Sequence, residues 1–230
     1  MKEYVCGNFY SGVEHTKLYI GDCIEFMKKM PDKSVNLLLT DPPYGVNLKY
    51  ATREDTPDNW FKLMKDFIPE AKRIANCVIF PSCQIKRLKW FYENYPPDWL
   101  ICWYKGATSC ASFVGFNDWE PMIVYGKNKK VWMHDYIKTP NTEKMGNYGH
   151  PCPKPIEWAK QIIEKATKDD MTVFDPFLGS GTVGVAARML GRKFIGIDIC
   201  EKYVETSFNR IRGINEKTNN MYPYNGHKRR

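Results

Sequence analysis

V-F-D-P-F-L-G-S-G-T, Val173 to Thr182, and the F-I-G-I-D-I that follows from Phe194 to Ile199 decide the fold of this chain. A short apolar strand, Met171 to Phe174, runs into a glycine-rich turn and a predicted helix over Gly181 to Leu190. A second strand, Lys193 to Ile199, then ends in an acid. Gly179 and Gly181 permit a tight turn and let a ligand approach the backbone at a helix N-terminus, whose amides favour negative groups. Asp198 stands about twenty residues beyond the first glycine, where an acid can accept hydrogen bonds from both hydroxyls of a ribose. Its plainer reading is a strand-end acid that caps the next helix. Gly184 formally completes G-x-G-x-x-G, so these residues alone leave a dinucleotide site open.

Outward from this core the pattern alternates. Lys17 to Ile20 reads as a strand, Asp22 to Met30 as a helix, and Val35 to Thr40 as a strand apolar enough to be buried on both faces. Residues 59 to 76 have helical spacing, with Pro69 expected to split the segment. Val78 to Phe80, Leu100 to Tyr104 and Pro121 to Tyr125 read as strands, and residues 84 to 95 as a helix. A helix is expected to begin at Pro155 and another to run from about Glu201 to Ile211. Alternating strands and helices predict a doubly wound α/β fold with a mostly parallel sheet. The 230 residues suit a single domain. Gly126 to Gly149 has no sustained periodicity and reads as a surface loop, a candidate for target recognition. The basic tail, 214 to 230, is expected to be mobile.

The second informative stretch is L-L-L-T-D-P-P-Y-G, Leu37 to Gly45, at the carboxyl end of a buried strand, the edge where ligands sit in open α/β sheets. Pro42 and Pro43 stiffen the backbone and remove two amide donors, which leaves a site rich in acceptors. Such a site suits an amine. An exocyclic amino group is a poor nucleophile because its lone pair is delocalised into the ring. Asp41 and the Pro42 carbonyl can accept its hydrogens and localise that pair, while Tyr44 stacks on the base. The competing reading is a two-proline turn with a leading Asp.

The formal charge of +8 favours a polyanionic partner, since Lys and Arg displace counterions from phosphates. Lys105, Lys127, Lys129 and Lys130 are the candidate nucleic-acid contacts, and Trp103, Phe113, Phe116, Trp119 and Trp132 the candidate stacking aromatics, against the alternative that most are core. The eight cysteines include no C-x-x-C pair and no His spacing suited to zinc, so free thiols in a reducing cytoplasm are expected and no metal site is assigned. No apolar run is long enough to cross a bilayer, so no membrane partner is expected.

D-P-P-Y, F-L-G-S-G-T and the H-P-C-P-K-P of His150 to Pro155, taken together, resemble the amino-methyltransferases of DNA. The likeness is to the permuted (beta-class) subclass, in which the catalytic motif precedes the cofactor motif. It covers roughly Tyr19 to Ile211 and implies a Rossmann-like fold of the S-adenosylmethionine-dependent methyltransferase type. It also implies methyl transfer from S-adenosylmethionine to DNA, double-stranded with an extruded base, in an enzyme of bacterial, archaeal or phage origin. The D-P-P-Y form is associated mainly with adenine N6, and cytosine N4 or adenine in RNA remain the alternatives. A nucleic-acid-binding protein that keeps the fold without transfer is a third reading, and a homodimer is left open.

Carried over residue by residue, the resemblance implies that Asp41, Pro42, Pro43 and Tyr44 are catalytic. Asp175, Phe177, Gly179, Ser180, Gly181 and Thr182 would surround the methionine part of the cofactor, Asp198 would hold the ribose and Asp22 the adenine. Lys154 would hold the methionine carboxylate by charge; its bland alternative is a solvated lysine between prolines. The departure from the family lies in the short variable region, so target specificity falls to Gly126 to Gly149, to Lys49 to Trp60, or to a second subunit.

Overall fold

The structure, a computed structural model, describes residues 3–7, 14–48, 54–82, 85–106, 115, 117–127, 134–140, 147–150, 152–215 and 220–221. In chain order the elements are β1 (Glu3–Gly7), β2 (Glu14–Ile20), α1 (Cys23–Lys28), β3 (Val35–Leu39), α2 (Pro57–Ile74), β4 (Ala75–Pro81), α3 (Leu88–Asn94), β5 (Trp99–Tyr104), β6 (Trp119–Gly126) and β7 (Tyr136–Lys138). They continue with α4 (Ile156–Ala166), β8 (Thr172–Asp175), α5 (Thr182–Met189), β9 (Lys193–Asp198), α6 (Glu201–Arg212), β10 (Ile214–Asn215) and β11 (Asn220–Met221).

β1 to β9 form one sheet in the order β1-β2-β9-β8-β3-β4-β6-β5-β7. The run from β2 through β9, β8 and β3 to β4 is parallel, while β6 is antiparallel to both its neighbours. β3 and β8 lie side by side, with Leu37 opposite Val173 and Leu38 opposite Phe174, as the two motifs require. The apolar run of β3 is explained by helices on both faces. Leu37 and Leu39 pack in a cluster with Trp158, Ile162 and Val185 from α4 and α5. Leu38 packs in a second cluster with Met64, Phe67 and Phe91 from α2 and α3.

Three expectations are corrected. Pro69 does not split α2, which is continuous from Pro57 to Ile74 behind a Thr56 N-cap. The carbonyl one turn back, which a proline cannot serve, is that of Lys65, and Tyr95 Oη donates to it at 3.3 Å. The stretch 126–149 is not wholly loop, because Tyr136–Lys138 pairs with β5. Part of the segment after Gly213 is ordered as the β10–β11 pair. Lys129, Lys130, Phe113, Phe116, Trp132 and the last nine residues lie outside the described residues. Among the described residues no helix is long and apolar enough to cross a membrane.

Candidate active site

The carboxyl ends of β2, β9, β8 and β3 are adjacent, and each delivers an acid or an amide to the same place. Asp22 caps α1 just after β2, Asp198 closes β9, Asp175 closes β8, and Asp41 lies two residues past β3. All four line a cavity of about 300 Å³, together with Pro43, Lys154, Phe177, Gly179, Ser180 and Thr182.

The glycine-rich turn is built largely from backbone. Gly179 and Gly181 have φ of 49° and 78°, a region that β-carbon-bearing residues avoid. A Cβ on Gly179 would come 2.9 Å from His150 Nε2, and one on Gly181 would come 2.7 Å from Ser207 Cβ. The missing side chain of Gly181 lets α5 start against α6. The Ser207 hydroxyl donates to the Gly179 carbonyl at 2.9 Å, and Arg210 Nη1 donates to that of Ser180. Gly184 serves packing, since a Cβ there would strike Ile211 and Phe194.

Asp198 is both a cap and a cavity residue. Its Oδ2 accepts from the Gly179 amide and its Oδ1 from the Cys200 amide, each at 2.9 Å. Burial raises its pKa, and these backbone bonds oppose the rise. A carboxylate has about four acceptor sites, so acceptor capacity remains beyond these amides and that of Ile199 for a ribose hydroxyl. Asp22 likewise accepts from the amides of Ile24 and Glu25 while it lines the cavity.

Asp175 is almost wholly buried. It accepts from Thr40 Oγ1 at 2.5 Å and from the Phe177 amide at 3.1 Å, and so ties the cofactor strand to the catalytic one. Burial, with the charges of Asp41 and Asp198 nearby, pushes this carboxyl up to about 7 against those bonds.

The catalytic segment is held by side chains from far away. Tyr44 Oη donates to Asp41 Oδ1 at 2.6 Å, and Lys154 Nζ lies 2.9 Å from Asp41 Oδ2. Asp55 accepts from the amides of Gly45, Val46 and Leu48 at 2.6, 3.0 and 3.3 Å. Arg87 donates to the Gly45 carbonyl and lies 3.9 Å over the Trp60 ring. Pro42 is buried and Pro43 faces the cavity. Sequence reasoning missed Asp55 and Arg87, which carry no motif. It also passed over Thr40, although that residue adjoins D-P-P-Y. His150 lines the cavity against Tyr203, and burial lowers its pKa, which favours the neutral ring.

The proposed nucleic-acid contacts fare differently. Lys105 turns inward, 3.0 Å from the buried Glu120, and is not a solvent-facing phosphate contact here. Lys127 is exposed but follows Gly126, which pairs with Cys77 near the start of β4, so it lies at the sheet edge opposite Asp41. Trp103 is core: only 1% exposed, it donates to Thr139 Oγ1 at 2.8 Å and packs on Trp158. On the same sheet edge as Asp41, Tyr104, Trp119 and Lys138 are exposed at the paired ends of β5, β6 and β7.

Residues 35–209, which include both strand-end motifs and the lysine turn, match the family described as DNA methylase. The chain belongs to the DNA methylase family. As a member it is an S-adenosylmethionine-dependent DNA methyltransferase, with DNA as its substrate. It is 28% identical to the type II methyltransferase M.HinfI of Haemophilus influenzae, over 87% of this chain and 69% of that one. It is 27% identical to the DNA adenine methyltransferase YhdJ of Escherichia coli (strain K12), over 87% and 84%. In fold it is similar to the M1.HpyAVI–SAM complex, with a TM-score of 0.61 and 23% identity over 84% of this chain and 97% of that one. It is also similar to the cytosine-N4-specific PvuII DNA methyltransferase, with a TM-score of 0.63 and 19% identity over 89% and 90%. The methyl donor fits the cavity by chemistry: a strand-end carboxylate with acceptor capacity for a ribose hydroxyl, the backbone of a glycine-rich turn, and a helix N-terminus along one lining.

Proposed function

We propose that this DNA methylase transfers its methyl group to N6 of adenine, extruded from the duplex, at a specific short sequence. The observation that carries the reading is the placement of Asp41. Its carboxylate stands at the end of β3 on the wall of the same cavity that holds Gly179 and Asp198, next to the strand that bears the glycine-rich turn. An Asp rather than a Ser at the head of P-P-Y, and the similarity to the adenine enzyme YhdJ, support adenine over cytosine.

S-adenosylmethionine supplies a methyl group on a positively charged sulfur. The chain's own residues prepare the amine. Asp41 accepts one N6 hydrogen and the Pro42 carbonyl the other, which localises the nitrogen lone pair, and the Asp41 charge stabilises the cationic nitrogen as it forms. Pro42, Pro43 and the Asp55 clamp on the amides of Gly45, Val46 and Leu48 keep these acceptors in place. Tyr44 stacks on the base, and the proton leaves after transfer.

The test is incubation of the protein with isotopically labelled cofactor and a mixture of DNA and RNA, followed by mass spectrometry of the nucleosides. Labelled N6-methyladenine in the DNA fraction is expected. Label on cytosine, or confined to RNA, would overturn the assignment.

A further inference from the structure

The K-P turn was read from the sequence as a holder of the methionine carboxylate; in the structure its lysine lines the same cavity and its ammonium meets Asp41. Lys154 is 8% exposed, and its ammonium pairs with Asp41 Oδ2 at 2.9 Å. It also lies 4.8 Å from the centre of the Tyr44 ring and 5.8 Å from that of Trp103. A buried ammonium is tolerated only where an anion and aromatic faces replace its water, and here the anion is the catalytic carboxylate itself. The backbone of Lys154 is tied down as well, because Thr182 Oγ1, at the start of α5, donates to its carbonyl at 3.1 Å. The other oxygen of Asp41 is held by the Tyr44 hydroxyl.

We propose that Lys154 is the positioning cation of the catalytic carboxylate: it holds the Asp41 carboxylate in place through Oδ2 and leaves Oδ1 as the acceptor for the target amine. This rests on the reading of Asp41 as that acceptor. In the base-free enzyme the Tyr44 hydroxyl occupies the place the amine takes, and the exchange occurs as the Tyr44 ring turns onto the extruded base. Because Lys154 keeps its bond to Oδ2 throughout, the carboxylate does not rotate when Tyr44 leaves. Through Thr182 the position of the cation is set by the same turn that receives the cofactor, so the two half-sites are joined at this lysine.

Other charged groups face this pair. His150 and Asp175 act on Asp41, while Glu120 and the Cys152 thiol act on Lys154, with Lys105 paired to Glu120. Lys154 lies in direct ion-pair contact with Asp41, so its removal is a change the carboxylate should register.

The experiment compares Lys154→Met, which keeps the apolar stem, with Lys154→Arg, which keeps the charge. It uses calorimetry with S-adenosylmethionine and single-turnover transfer by saturated enzyme. For Lys154→Met we expect cofactor affinity within about threefold of wild type and a rate at least about 10²-fold lower. Lys154→Arg should recover most of the rate. Should the methionine variant unfold, Lys154→Gln, which can still donate to Asp41 but lacks the charge, is expected to show the same split between affinity and rate.

Cofactor binding weakened about tenfold or more, with a near-normal rate at saturation, would return Lys154 to the methionine carboxylate and overturn the proposal. A slow methionine variant whose rate arginine does not repair would overturn it too. The base that wild-type enzyme labels is read separately from these variants, so an error in the adenine assignment and an error about Lys154 give different results.

Discussion

The cofactor half of the site and the target half are built by different means. Around the glycine-rich turn the acids are held by backbone amides. Asp198 is clamped by Gly179 and Cys200, Asp22 by Ile24 and Glu25, and Asp175 by Phe177 together with Thr40. Around D-P-P-Y the chain is held by side chains that arrive from elsewhere: Asp55 and Arg87 on its backbone, and Lys154 on the Asp41 carboxylate. Backbone donors at strand ends are fixed by the fold, whereas three side chains that converge on one loop depend on how several elements pack. The cofactor half should therefore tolerate loss of a side chain with a local binding defect. The target half should lose chemistry or stability.

The strongest test of that contrast is Asp41. Asp41→Ala should lower single-turnover transfer by about 10³-fold or more while cofactor affinity stays within a few-fold, since the carboxylate contributes mainly in the transition state. Asp41→Asn should be nearly as slow, because an amide oxygen accepts a hydrogen bond but lacks the charge. Transfer by either variant at near wild-type rate would remove the distinction between the halves.

Asp55→Ala should destabilise the protein by about 2 to 4 kcal/mol in denaturant titrations, as the buried Gly45 amide and its two neighbours lose their acceptor. Asp198→Ala is the counterpart in the other half. It should weaken cofactor binding by about 1.5 to 3 kcal/mol in calorimetry, with transfer restored at high cofactor concentration. A loss of rate that excess cofactor does not repair would mean that the two halves are less separable than their construction suggests.

A smaller effect concerns pH. Asp175 has a folded-state pKa near 7 against an ordinary value of 3.8, so between these pH values the unfolded chain releases this proton first. This group's contribution to stability is full at low pH and declines as pH rises toward 7, by at most about 1.4 kcal/mol per pH unit. Asp175→Asn should flatten that decline in denaturant titrations at pH 4 to 7, and an unchanged slope would contradict it.

The smallest effect separates the two edges of the sheet. Lys138→Glu, on the catalytic edge beside Tyr104, should reduce the salt dependence of DNA binding by about one unit, whereas Lys127→Glu on the far edge should leave it unchanged. The reverse result would move the DNA to the other edge.

The sequence by itself determined the parallel core of this protein and its two motifs, because those rest on local facts. Strand periodicity, glycine where φ is positive, and an acid at a strand end are properties of a few consecutive residues. It also determined that Asp41 and Gly179 belong together, since open parallel sheets place ligands at the carboxyl ends of their strands. Only the tertiary structure decided which lysines face solvent. Lys105 reads like any basic strand end until Glu120 comes opposite it across β5 and β6, and Lys127 reads like its equal until the antiparallel course of β6 carries it to the sheet edge opposite Asp41. The contact of Lys154 with Asp41 was likewise undecided by spacing, because it depends on where α4 begins relative to β3. A charged side chain names the kind of partner it needs, and only packing determines which partner comes within reach when water is excluded.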